Sequence, residues 1–210
     1  RDSMKITDLT TVPAGKYLFI RVHTDEGITG IGEIGSWGFI DGTVGVLEKF
    51  RQYLIGQDPY RIEHHWQYLY RFSHFRGAAV MGALSAIDIA LWDIAGKAAG
   101  LPCYKLWGGH HNQIPAYSSG GMYYGLPGEN PDGMMGMEAE MELTKSRGFQ
   151  GYKMKVGKPT LTLQQDIARV RYARECLGSD MDLMVDANCT WDLPRAYAYL
   201  PYLEELNVKF

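Results

Sequence analysis

Two stretches decide how this chain folds: Tyr152-Lys153-Met154-Lys155-Val156-Gly157 and, later, Met184-Val185-Asp186-Ala187-Asn188. A β-strand has a side-chain period of two, so Lys153 and Lys155 share one face and Tyr152, Met154 and Val156 share the other. Two ammonium groups on one covered face repel each other and are costly to desolvate. A fold tolerates them where that face opens onto a polar cavity. For the pair alone, a sheet-edge strand with two solvated lysines is the plainer alternative. The surroundings tell against it. Val156-Gly157 closes the strand, an amphipathic segment follows, and Leu183-Met184-Val185-Asp186 repeats the strand pattern with a carboxylate at its end. Parallel strands joined by helices are covered on both faces, and polar residues at their carboxyl ends usually belong to chemistry.

Working outward from these strands, the same rhythm starts near Gln113. The spacing predicts a short strand over Ile114 to Ser119, a helix over Met134 to Ser146 ended by Gly148, and a strand over Gly151 to Val156. It then predicts a helix over Leu163 to Leu177 ended by Gly178 and a strand over Asp182 to Asp186. A helix over Leu193 to Leu206, capped by Asp192 with Pro194 in its first turn, and a strand opening at Asn207 complete the series. Such β/α repeats build an open doubly wound sheet or a closed barrel. Ser119-Gly120-Gly121 does not run straight into a helix, so a dinucleotide or phosphate cradle is weakly supported and the barrel is favoured. A complete barrel takes about 250 residues, and about three β/α units fit here. The expectation is a portion of a longer polypeptide, or a barrel completed from elsewhere.

Residues 1–112 read as an α+β unit. Lys16 to His23 alternates like a strand, Thr24-Asp25-Glu26-Gly27 is turn chemistry, and Ile28 to Ile34 returns as its partner. Helices follow over Thr43 to Ile55, after Asp58-Pro59 with the aspartate as N-cap, and over Ala79 to Ala99, stopped by Gly100-Leu101-Pro102. Asp93 and Lys97 stand four apart and pair on one helix face. Residues 113–210 read as the first part of a β/α barrel.

Composition narrows the classes further. The chain has 210 residues, of which 46% are apolar and 21% charged, so disorder is not expected. The net charge of −3 and the lack of a basic tract argue against a nucleic-acid surface. No apolar run is expected to span a membrane, and no secretory leader pattern is seen. Arg1-Asp2-Ser3 before Met4 is either native or a cloning scar. Cys103, Cys176 and Cys189 are an odd, scattered set that suits a reducing cytoplasm.

Taken in order, several motifs resemble the mandelate racemase and muconate-lactonizing branch of the enolase superfamily, close to its acid-sugar dehydratases. They are Thr24-Asp25-Glu26-Gly27-Ile28-Thr29-Gly30-Ile31-Gly32-Glu33, then Ser85 to Lys97 with Asp88, Trp92 and Asp93, then Leu106-Trp107-Gly108-Gly109, and finally the two stretches quoted first. The resemblance implies an N-terminal α+β capping domain (1–112), a modified TIM-type β/α barrel begun at 113–210, a bound Mg2+ and a carboxylate substrate that loses its α-proton. It implies Asp186 as the first metal ligand and two further acidic ligands at the next two strand ends. A lysine or histidine base with one or two magnesium ions is that superfamily's general solution.

On this basis Lys155 is expected as general base and Lys153 as the cation that binds the substrate carboxylate. Asn188 points to the face of Asp186 if the strand continues, and Ser119 does likewise from the first strand. Ordinary turn chemistry is the alternative for both. Trp37, with Phe39, and His74 and Arg76, with Phe75, are expected to read the rest of the substrate from the capping domain. His110-His111 is not expected to bind metal, because adjacent side chains point apart. Met134, Met135, Met137 and Met141 are expected as core filler. The favoured activity is dehydration of a sugar acid. Racemisation, epimerisation and cycloisomerisation share its first half-reaction, and a non-catalytic fragment is the alternative of a different class. The expected partners are a small carboxylate and further copies of the chain.

Overall fold

The computed structural model describes residues 4–35, 40–122 and 136–210. They form two compact units, Arg1–Asn112 and Gln113–Phe210.

The first unit carries strands β1 (Ile6–Ala14), β2 (Tyr17–Thr24) and β3 (Thr29–Ile34), then helices α1 (Ile40–Leu54), α2 (Ile62–Arg71), α3 (Ala78–Ala99) and the short α4 (Cys103–Leu106). The strands make one antiparallel sheet in the order β1-β2-β3. Leu18, Ile20 and Val22 alternate inward along β2 and pack on Leu84, Ile87, Leu91 and Ile94 of α3. Burying each such side chain fully is worth about 1.5–3 kcal/mol. Helix α3 lies so close to β3 that a Cβ on Gly32 would stand 2.0 Å from the Ala86 carbonyl oxygen, so only glycine fits. The helix also serves the strand's outer edge: Asp93 Oδ2 accepts from the Ile31 N–H at 2.8 Å, and Lys97 Nζ donates to the Thr29 carbonyl at 2.7 Å. Contrary to the sequence expectation, α3 is, by length and composition, apolar enough to cross a membrane. Ala83, Leu84, Ala86, Ile87, Ala90, Leu91 and Ile94 are instead spent on the core of this unit.

One strand is missing from the sequence reading, and one helix cap is corrected. The sequence gives no sign of β1, because its register slips between Ile6 and Asp8 and so breaks the period of two. Asp58 does not cap α2. Its Oδ1 accepts from Tyr60 N–H within a preceding turn, and the helix starts at Ile62 after Arg61.

The second unit carries β4 (Ser118–Gly120), α5 (Met137–Ser146), β5 (Gly151–Lys155), α6 (Leu163–Leu177), β6 (Asp182–Asp186) and α7 (Leu193–Glu205). The strands are parallel in the order β4-β5-β6, and an isolated parallel bridge joins Leu183 to Val208. Helices α5 and α6 connect successive parallel strands, so this unit is built of β/α repeats. β4 is shorter than the predicted Ile114 to Ser119, because only Ser118–Gly120 pair with β5. Helix α6 starts in a full capping box, with Thr162 accepting from Gln165 N–H and the Gln165 side chain accepting from Thr162 N–H. Helix α7 starts on Asp192, which accepts from Arg195 N–H at 2.9 Å. Tyr152, Met154 and Val156 are fully buried against Met137, Met141, Val170, Ala173 and Leu177. Met134 and Met135 lie outside the described residues.

Candidate active site

The face of β5 opposite Tyr152, Met154 and Val156 carries Lys153 and Lys155, as the strand period requires. Register places Lys155 directly beside Asp186 of β6 and Lys153 beside Ser119 of β4. Lys155 Nζ donates to Asp186 Oδ2 at 2.7 Å and to Asn188 Oδ1 at 2.7 Å. Lys153 Nζ stands 3.5 Å from the same Asp186 oxygen. The other oxygen, Oδ1, accepts from the Asn188 N–H at 2.9 Å. The side chains of Lys155 and Lys153 are only 12% and 18% exposed, so their mutual repulsion is little screened by solvent and is met by the carboxylate they share.

Asp186 is held well below its ordinary value, at about 2, by the hydrogen bond from Lys155 and then by that from the Asn188 N–H. Lys153 is raised, chiefly by its hydrogen bond to Tyr117 and further by Asp186, with burial opposing. Its Nζ lies 5.2 Å from the centre of the Tyr117 ring. Lys153 is thus held as a cation.

Asn188 reaches this cluster by a route that differs from the predicted one. The strand ends at Asp186, and Asn188 and Cys189 follow with φ of 45° and 63°. Two consecutive left-handed residues turn the chain, and the Asn188 amide folds back onto Lys155. Asparagine tolerates this conformation better than most residues. Gly157, at the end of β5, has φ of +79°, and a Cβ there would stand 2.3 Å from Thr190 Oγ1. Ser119 is exposed on the lysine face.

His74 and Arg76 belong to the first unit, in the segment between α2 and α3. Arg76 is engaged within that unit: its guanidinium lies 4.0 Å over the Tyr70 ring and donates to the Tyr70 carbonyl at 3.1 Å. His74 is exposed. Trp37 and Phe39 lie outside the described residues.

The sequence reading missed Tyr117, Glu140, Asp166 and Arg169. Glu140 Oε2 accepts from Gly121 N–H and from the Tyr152 hydroxyl, each at 2.7 Å. Asp166 and Arg169 form a buried pair at 2.8 Å beneath the strand ends. A signal was available: on α6 these two charges occupy the stripe of Val170, Ala173 and Leu177, where an amphipathic helix puts apolar residues.

Asp186 offers the hard, ionised oxygen that magnesium prefers. Among the described residues no three His, Cys, Asp or Glu side chains converge, so Asp186 fits as one ligand of such an ion and not as a whole site.

This arrangement has counterparts among known proteins. Residues 3–108 match the family described as mandelate racemase / muconate lactonizing enzyme, N-terminal domain, and residues 136–210 match enolase C-terminal domain-like. The chain is 35% identical over 216 residues to a D-galactonate dehydratase of Xanthomonas campestris pv. campestris, covering 99% of this chain and 54% of that one. It is 34% identical over 215 residues to an arabinonate dehydratase of Saccharolobus solfataricus, covering 100% of this chain and 55% of that one. A mandelate racemase/muconate lactonizing enzyme from a marine actinobacterium, solved in complex with magnesium, superposes with a TM-score of 0.79 at 32% identity, over 98% of this chain and 58% of that one. The chain spans about half the length of the curated relatives it matches. With both of its parts matched in this order, the chain belongs to the mandelate racemase and muconate-lactonizing branch of the enolase superfamily.

Proposed function

We propose that these residues contribute to a magnesium-dependent dehydratase of sugar acids, with Lys155 as the base that removes the proton α to the carboxylate. The observation that carries the reading is the 2.7 Å contact of Lys155 with Asp186, flanked by a second cation, Lys153, on the same face. The names of the galactonate and arabinonate dehydratases favour dehydration over racemisation or cycloisomerisation.

Removing a proton beside a carboxylate creates an enediolate with a second negative charge, which water stabilises poorly. Asp186 would hold magnesium as one of its ligands, and the ion when bound would supply positive charge beside the substrate carboxylate. Lys153 stays charged and binds the same group. Lys155 takes the α-proton at Nζ. Asn188 Oδ1 accepts from that nitrogen and keeps it aimed. The electron pair of the broken C–H bond is held in the enediolate and returns to form the Cα–Cβ double bond as the β-hydroxyl leaves, taking a proton from solvent to depart as water, and the enol product tautomerises to a 2-keto acid. Ser119 hydrogen-bonds the carboxylate.

The test uses the whole protein with magnesium and D-galactonate or arabinonate in deuterated water. Lys155→Ala is expected to abolish both α-proton exchange and formation of the keto acid. Exchange at the parent rate would remove Lys155 from the base role.

A further inference from the structure

We propose that Asp166 and Arg169 are positioning residues for Lys155: a buried clamp that fixes the main chain from which the base projects. This rests on the reading of Lys155 as base.

Both residues lie in the first turns of α6, and their side chains are 0% and 3% exposed. Such a pair is a poor choice for stability alone, because well-packed apolar side chains of similar volume usually serve as well or better. What the charges do is visible in where their hydrogen bonds end. Arg169 Nη1 donates to the Lys155 carbonyl at 3.0 Å and to Asp166 Oδ1 at 2.8 Å. Arg169 Nη2 donates to the Gly121 carbonyl at 3.2 Å. That same carbonyl accepts from the Lys155 N–H at 3.2 Å. Asp166 Oδ2 accepts from the Gly157 N–H, two residues beyond Lys155, and from the Tyr199 hydroxyl at 3.0 Å. Val156 N–H, between them, donates to the Asp186 carbonyl at 3.1 Å.

Lys155 is therefore held at its N–H by Gly121 and at its carbonyl by Arg169, and Gly121 is itself held by Arg169 and Glu140. One guanidinium spans β4 and β5 at their carboxyl ends, and its partner carboxylate holds the residue that closes β5. The planar fork of arginine suits this task, since it presents several donors in fixed directions where lysine offers one nitrogen. A flexible lysine side chain reaches a substrate carbon reproducibly only if its main chain does not drift, and a displacement of about 1 Å in a reacting group can cost about 100-fold in rate.

Arg169→Lys in the whole, magnesium-loaded protein tests this, because it keeps the charge opposite Asp166 and loses the fork. The expected result is a fall in kcat of up to about 100-fold with KM close to the parent value. A readout independent of turnover accompanies it: competitive acetylation of Lys155 by acetic anhydride, followed by peptide mass spectrometry with exposed Lys209 as internal reference. Labelling of Lys155 is expected to rise as its Nζ leaves Asp186 and Asn188. A folded Arg169→Lys protein with unchanged kcat and unchanged Lys155 labelling overturns the clamp, even if its melting temperature drops. Should Arg169→Lys fail to fold by circular dichroism, Asp166→Asn is read by the same two measurements and the same criteria. If Lys155→Ala abolishes exchange while the folded variants are silent, the clamp alone falls. If Lys155→Ala retains exchange, the reading beneath it falls instead.

Discussion

Lys155 Nζ and Asp186 Oδ2 meet at 2.7 Å because parallel register sets their residues side by side on adjacent strands. The carboxylate is also the partner of Lys153, so it neutralises two cations at once. Asp186→Asn leaves two largely covered ammonium groups facing a neutral amide. Without magnesium, this substitution is expected to lower stability by about 1–3 kcal/mol, measured by urea unfolding at neutral pH. The contribution is linked to pH. Asp186 titrates at about 2 in the folded chain, against 3.8 ordinarily, so its stabilisation is complete above pH 3.8 and is lost as pH falls through about 2. The parent midpoint should therefore drop more steeply across that window than the midpoint of Asp186→Asn. Parallel curves would assign the acid sensitivity elsewhere.

Lys153 and Lys155 share one face of β5, and the proposed mechanism gives them different tasks. Lys153→Met is expected to raise KM for the sugar acid by roughly 10- to 100-fold, as for loss of a charged hydrogen bond of about 1.5–3 kcal/mol, while Lys155→Ala acts on kcat. Steady-state kinetics on the two variants checks this. Equal effects on both constants in both variants would contradict the division of roles.

Gly32 faces the backbone of α3 with no room for a methyl group. Gly32→Ala forces β3 and α3 apart and is expected to cost about 1–3 kcal/mol, visible as a lower denaturation midpoint of the first unit. The same change at Gly42, which meets nothing nearby, is the control and should be neutral or slightly stabilising.

His65 is fully buried on α2. Its Nε2 donates to the Asp58 carbonyl at 2.8 Å, which leaves Nδ1 to accept from the Tyr53 hydroxyl at 2.9 Å in the neutral ring. Burial pushes its pKa below the ordinary 6.5. The unfolded chain takes up this proton first, so stability is full above about pH 6.5 and declines as pH falls below it towards the folded value. Urea midpoints between pH 8 and pH 5 should show the decline, and His65→Gln should flatten it.

How far the sequence reveals these arrangements depends on the range of the interactions behind them. The bounds of α6 and β6 agree with the reading because their signals are local: Thr162 and Gln165 start the helix, Gly178 follows it, and a short apolar run ends at Asp186. The facing of Lys153 and Lys155 follows from strand period, and their meeting with Asp186 needs only that β5 and β6 be neighbours. β1 was hidden because a bulge breaks its alternation, with Pro13 and a run of threonines adding no apolar rhythm. Asp58-Pro59 misled because the same two residues open a turn as readily as a helix. Tyr117 over Lys153, Glu140 under Gly121, and the contacts of Asp166 and Arg169 with Gly157, Lys155 and Gly121 are tertiary pairings; Tyr117 alone resembles a strand aromatic and Glu140 a solvated helix charge, whereas Asp166 and Arg169 show in the sequence only as charges on the apolar stripe of α6.

The contacts of Asp93 and Lys97 with β3 have an effect beyond packing. They occupy the Ile31 amide and the Thr29 carbonyl, which would otherwise be available to a further strand. An uncapped margin of this sort invites recruitment of a foreign chain and, eventually, fibrils. Helix α3 ends the sheet at that side and so protects the unit against self-templated aggregation.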